Sequence, residues 1–521
     1  METACCKMLT RSVLFGTFPM LFGLLGCRVQ ADGGARDRQL SRAKLNAGAF
    51  LFNANSATAK LPAILARVSW KQAPELSAAE GALGDYFGAS VAVSDDGTIV
   101  VGAPQRAVQE NPSQGAAYVF ARNGSEWLPQ VPVLIAPDGA RGDTFGLSVA
   151  SANAGDLVVV GAPGHAVGAN PTQGAVYVFA RGDQGWTPQG QPLSSLDGNA
   201  ADGFGGAVAV AGDTILVGAP FHEVNGNAGQ GAAYVFVRSG DTWLQQGPEL
   251  VAADGRAGDA FGSYVALSND TAVISAPIRH VGNNPYQGAA YVFVRSGEVW
   301  TQQGPELVAP DGGAFDQLGP CALSGDTALV GAPFHTIGSR PQQGAAYAFA
   351  RQGEIWALDG PAWVAADGAA GDQFGNAVAL TEQRALVAAW GQRRGPNAYR
   401  GAAYLFERNG AAWEAEASPL SADDGAANEI FGTAVALAAD TAVIAAPSHR
   451  IGANVEQGAA YVFLRDRDTT GNCACRSAGA REQWGAGAPA WLAWTALASV
   501  SVMLRRRRAS TERVPARGPG A

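Results

Sequence analysis

The amino-acid sequence predicts an all-β fold: a seven-bladed β-propeller closed by an N-terminal strand, followed by a C-terminal transmembrane helix. Three observations predict it. One unit of 56–59 residues recurs seven times. Each unit holds four short strand-like stretches and no sustained helical period. The series of units also starts and stops at different points within the unit, so that its two ends complement each other.

The recurrence has three markers. A Phe-Gly step falls at Phe87, Phe145, Phe204, Phe261, Phe374 and Phe431, with Leu318 in its place in the fifth unit. A tyrosine follows at Tyr118, Tyr177, Tyr234, Tyr291, Tyr347, Tyr404 and Tyr461. A tryptophan follows at Trp127, Trp186, Trp243, Trp300, Trp356 and Trp413, and the earliest of that kind, Trp70, precedes the first Phe-Gly step.

The third unit shows the strands. "FGGAVAVAG" is the first, turned sharply by Gly212-Asp213. "TILVGAP" is the second, ended by Pro220, which has no N–H for a ladder. After a loop of about ten residues, "GAAYVFVR" alternates Tyr234 and Phe236 against Val235 and Val237. The fourth strand carries Trp243. Gly, Ala and Val suit the crowded innermost position, and the bulky rings suit gaps that widen outward. Because Trp70 is a fourth strand without its first three, and Tyr461 a third strand without its fourth, the two should pair and close the ring. An open solenoid would need polar caps instead.

These residues resemble the FG-GAP repeat: "FG…VGAP" stands at 87–104, 145–163 and 204–220, and the body is similar to the seven-bladed propeller of integrin α subunits. The resemblance is specific for the fold and says little about function. In integrins several first-to-second strand loops bind calcium. Here they are tight turns such as "AGDT" and "SGDT", too short of oxygen ligands for that ion. No cofactor is expected.

Composition fits this body. Apolar residues make up 47% and charged residues 16%, and 68 glycines serve the turns. With a net charge of −9 and no basic stripe in the repeats, nucleic acid is not an expected partner. Only Cys321 lies inside the repeats, so packing must hold them together.

The remaining cysteines accompany targeting signals. Lys7 and Arg11 precede an apolar run from Ser12 to Gly26, the pattern of a secretory signal. The run ends "LLGC", which resembles a bacterial lipobox with Cys27 as the lipidated residue; cleavage after "VQA" at Ala31 is the rival reading. Near the other end, 21 uncharged residues run from Trp484 to Leu504, enough for a helix of roughly 30 Å. Arg505 to Arg508 follow and should stay cytoplasmic. This segment is either a permanent anchor or part of a sorting tail. With Cys473 and Cys475 before it, it resembles the myxobacterial C-terminal sorting tail, which implies processing or modification at one of those cysteines and delivery to the cell surface or outer membrane. The expected organisation is a signal peptide over 1–27, a linker over 28–60, the propeller over 61–466, a Cys-containing linker over 467–483, the helix over 484–504 and a basic tail over 505–521.

Candidate chemistry gathers on the face where second-to-third and fourth-to-first connections emerge. Each fourth-to-first loop holds an acidic pair five apart, such as Asp138/Asp143, Asp197/Asp202 and Asp424/Glu429. All five histidines (His165, His222, His280, His335 and His449) follow "GAP" or its variant. A carboxylate–imidazole ring of this kind is either turn chemistry or a set of cation sites, of which His222 with Asp197 and Asp202 is a candidate. The sixth unit departs from the pattern: "GAP" becomes "AAW", and its loop brings Trp390, Arg393, Arg394, Tyr399 and Arg400, residues suited to a sugar or an anion. "RGD" at Arg141–Asp143 and Arg181–Asp183 belongs to the repeat and to a strand end. The expected function is a non-enzymatic surface module that binds protein or glycan, with an envelope polysaccharide hydrolase or a structural spacer as alternatives. An enzyme should place unlike acids and bases in particular blades, whereas here the polar residues repeat.

Overall fold

The computed structural model describes residues 69–466 apart from 153–154, 184 and 394–398. The signal, Cys27, Cys473, Cys475, the C-terminal helix and Arg394 lie outside the described residues. Among the described residues no helix is long and apolar enough to cross a membrane.

Twenty-eight strands form seven four-stranded antiparallel sheets. Six of the sheets are consecutive in sequence. In the third blade the strands are Ala207–Ala211, Thr214–Ala219, Ala232–Ser239 and Thr242–Gln245, paired in that order. The first two are joined by Gly212-Asp213, with Gly212 at φ 54°. The seventh blade is composite: its first three strands end at Asp466, and its fourth is Ser69–Gln72. Trp70 lies opposite Arg465 and Gln72 opposite Phe463, so the ring is closed by hydrogen bonds as the incomplete ends require. Ala73 and Leu76 extend the pairing to Val462 and Ala460.

The first strands of successive blades contact one another all round, the first and seventh included, which makes them the innermost ring. Every second strand is buried along its whole length, as in Thr214–Ala219, because a neighbouring blade covers each face. This explains why these strands read as unbroken apolar runs. Each hydrophobic cluster straddles two blades. Val100 and Val119 of the first blade pack with Phe145, Tyr177, Phe179 and Trp186 of the second. Within a blade the Phe of the Phe-Gly step meets the third-strand rings edge-on, as Phe204 meets Tyr234 and Phe236 at 5.6 and 5.9 Å.

The glycine of "GAP" marks the closest approach between blades. A Cβ on Gly218 would sit 1.9 Å from the carbonyl oxygen of Gly262, the glycine of the next blade's Phe-Gly step, and Gly102, Gly161 and Gly331 are placed alike.

Polar groups staple the blades on the opposite face. In five blades the arginine ending the third strand lies over the tryptophan of the fourth, as Arg295 lies 5.3 Å from Trp300. It also reaches the preceding blade: Arg295 to Thr214, Arg181 to Thr98. Between the seventh and first blades Arg122 meets Asp440 at 3.1 Å. The hairpin aspartates that the integrin comparison brought into question are engaged by these arginines, Asp270 by Arg295 and Asp326 by Arg351. Tryptophan indoles add further links, Trp243 to Gln189 and Trp300 to Gln246 of the blade before.

Candidate functional site

The loop face is built from two connections per blade. In every fourth-to-first loop the second acid of the pair is buried and accepts a hydrogen bond from a backbone N–H three residues before it. Asn199 N–H donates to Asp202 at 2.7 Å, Ala140 to Asp143 at 2.8 Å and Ala426 to Glu429 at 2.7 Å. The bond runs backward along the chain, not to a residue ahead. The first acid of the pair faces solvent and in several blades accepts from the third-strand tyrosine, as Asp138 does from Tyr177 and Asp311 from Tyr347, both at 2.7 Å.

Against these carboxylates stands one side chain, two residues after the proline of "GAP". It is Arg106, His165, His222, Arg279, His335, Gln392 and His449 in the seven blades. Six of the seven are arginine or histidine. His280 is therefore not part of the ring: it lies one residue further on, is exposed, and packs on Tyr286. Arg279 holds the place instead, bonded to Asp254, Asp259 and Glu306. Counting from the proline, not from the histidine, would have found it.

The imidazoles are drawn toward the charged form. The bond to Asp143 raises His165, and that to Asp316, 2.6 Å away, raises His335. Glu249 at 3.0 Å on Nε2, with Asp202 at 2.8 Å on Nδ1, pushes His222 up to about 9. Burial opposes charge on His449, but Glu429, Glu75 and Asp424 together raise it. For His335 the sign is clear. A raised imidazole stabilises the fold fully below its unfolded value, about 6.5, and stops doing so as pH rises through its folded value. The difference in Tm between the wild type and His335→Gln should thus be largest near pH 6 and shrink in alkali. A gap that widens toward alkaline pH would contradict this.

The sixth blade breaks the symmetry. Trp390 and Tyr399 stack, with centroids 5.8 Å apart and planes at 24°, and Arg393 lies 6.0 Å from the Tyr399 ring. Arg400 does not join them. It occupies the slot held in the other blades by glutamine before glycine, and its guanidinium donates to the Ala422 carbonyl at 2.7 Å, as Gln287 does to Ala309 at 3.1 Å. Its role is to hold a loop.

The structure adds rings that sequence reasoning missed. Phe221 is 63% exposed on the third blade, and Tyr286 and Phe315 pack together at 5.3 Å between the fourth and fifth. Trp390 opens onto a depression of about 460 Å³, lined also by Tyr264, Pro277, Phe334, Gln373 and Asn376. The residue after the "GAP" proline carries part of the signal: Phe221, Ile278 and Phe334 in the third to fifth blades, against Gln105, Gly164 and Ser448 in the first, second and seventh. One sector of the face is apolar. The first RGD is not free for adhesion, since Asp143 is 2% exposed and bonded to His165; in the second, Arg181, Gly182 and Asp183 are exposed, with Arg181 over Trp186.

Seven inward-tapering sheets, a strand-closed seam and a loop face with one distinct sector define a ring-shaped propeller of the integrin α type, a fold consistent with a binding or adhesion module. The FG-GAP repeat matches at residues 70–120, 129–179, 186–236, 243–293, 300–349, 363–406 and 413–463, more than half of the chain, and the chain belongs to that family. No curated protein matches it. Six matched segments begin within a fourth strand and the sixth begins after one, and each ends within the third strand of the next blade, so the repeat and the blade are out of phase.

Proposed function

We propose that the chain is an exported cell-surface module that binds a glycan through the aromatic sector of its loop face and does no chemistry on it. Export and attachment rest on the signals read at the two ends of the sequence. The observation that supports binding is the Trp390–Tyr399–Arg393 stack beside the depression. Flat rings suit the C–H faces of sugars, the amide of Gln373 suits hydroxyls, and Arg393 suits a sugar carboxylate. A hydrolase would need two carboxylates in unlike surroundings. On this face the buried acid of every pair instead accepts the same backbone N–H bond.

The test is a glycan array with an envelope pull-down, using the full chain. Replacing Trp390 and Arg393 together by alanine should weaken capture about tenfold or more, or ~1.4 kcal/mol. Capture of a protein alone would make the partner a protein. Turnover of a polysaccharide would favour a hydrolase, and silence in every arm a structural spacer.

A further inference from the structure

We propose that the third and seventh blades each hold one divalent transition-metal ion of the zinc class, bound by Asp197, His222 and Glu249 in one and by Asp424, His449 and Glu75 in the other. In both triads one ligand atom from each side chain lies within 4.8 Å of the other two. In the seventh blade Nε2 of His449 is 3.5 Å from Glu75 and 3.9 Å from Asp424. Ligand atoms on a tetrahedral zinc with bonds of ~2.0–2.1 Å lie roughly 3.4 Å apart, so small side-chain movements suffice. In the third blade Nε2 of His222 is 3.0 Å from Glu249, so an ion there would replace that direct contact.

The surroundings are those of a ligating histidine. Nδ1 faces a buried carboxylate, Asp202 at 2.8 Å or Glu429 at 3.0 Å, which fixes the ring and directs the Nε2 lone pair to the triad. Asp202 is thus an orienting residue and Glu249 the ligand, a change from the trio expected from sequence. The fourth blade supplies an independent observation. The equivalent carboxylates, Asp254 and Glu306, are filled there by the guanidinium of Arg279, a permanent cation in the same place. The other blades lack the set. Pro192 and Ala362 stand where the second and fifth blades would need the glutamate, so His165 and His335 have only aspartates. Arg106 and Gln392 replace the histidine in the first and sixth. The ion would tie three connections together: the loop entering a blade, the loop leaving it and the second-to-third loop. This goes beyond the glycan reading and does not depend on it.

The full chain, without an affinity tag and stripped with chelator, should be titrated with zinc and separately with cobalt. Two ions per chain are expected, with a tetrahedral cobalt spectrum. Glu249→Gln and Glu75→Gln should each leave one ion, and the double variant none, with circular dichroism showing all three folded. Ala362→Glu should add a third ion beside His335 and Asp311. No binding by the wild type, or binding that all these changes leave untouched, would overturn the proposal.

Discussion

A chain that begins at Gly81, and so lacks the closing strand, is expected to lose its cooperative melting or to fall in Tm by about 10 °C or more. The third strand of the seventh blade, Ala459–Asp466, would then present a row of unpaired N–H and C=O groups. The same truncation removes Trp70, whose indole bonds Glu416, and the buried Leu76 and Ala78. The decisive control is a permutant. Ser69 lies opposite Asp466, just as Thr242 lies opposite Ser239 across a two-residue turn. Joining Asp466 to Ser69 through Asn-Gly, with the chain starting at Gly81 and ending at Glu80, would build the hairpin found in the other six blades. The permutant should melt within a few degrees of the wild type. If the truncated chain melts like the wild type, the seam is not what holds the ring.

Gly218→Val should be the most damaging single substitution, costing about 4 kcal/mol or more. The new Cβ would fall 1.9 Å from a backbone oxygen, which cannot rotate away as a side chain would. The third and fourth blades would have to separate along their innermost edge, loosening the cluster that holds Leu216, Val235, Phe261 and Ile274. Ala388 and Ala445 occupy the equivalent place in the sixth and seventh blades, so one methyl group can be absorbed. Gly218→Ala should accordingly cost less, about 1–3 kcal/mol. Gly182, which has only Gly185 O at 3.7 Å, should accept alanine within about 0.5 kcal/mol. Thermal melts of the three variants would check the order, and equal Tm values for Gly218→Val and Gly182→Ala would refute the close approach.

Sequence legibility followed the average of the repeats. Whatever recurs in all seven units could be read before any coordinates: four strands, small inner residues, rings further out, and the seam at Trp70. Whatever departs from the average was harder to see. His280 lies near "GAP" as the other histidines do, although one residue of offset puts it in solvent and Arg279 in the ring. Glu75, Glu249 and Glu306 precede a repeated leucine at a position where other blades have Pro, Ala or Val, so no pattern drew attention to them. The apolar sector was hidden for the same reason: its rings come from different loop positions in different blades. Arg400 shows the converse, because closeness along a loop did not reveal that it fills the slot of the repeated glutamine and bonds the Ala422 carbonyl.

The paired seam also fixes a direction. A third strand runs away from the aromatic side and a fourth runs back toward it, so Ser69 and Asp466 leave the ring together at its far surface. Force entering through either segment therefore reaches the ring on the surface opposite the loop face. Tension applied between the two exits would peel the short closing pair one bond at a time before loading any other blade, which makes that pair the fuse of the assembly.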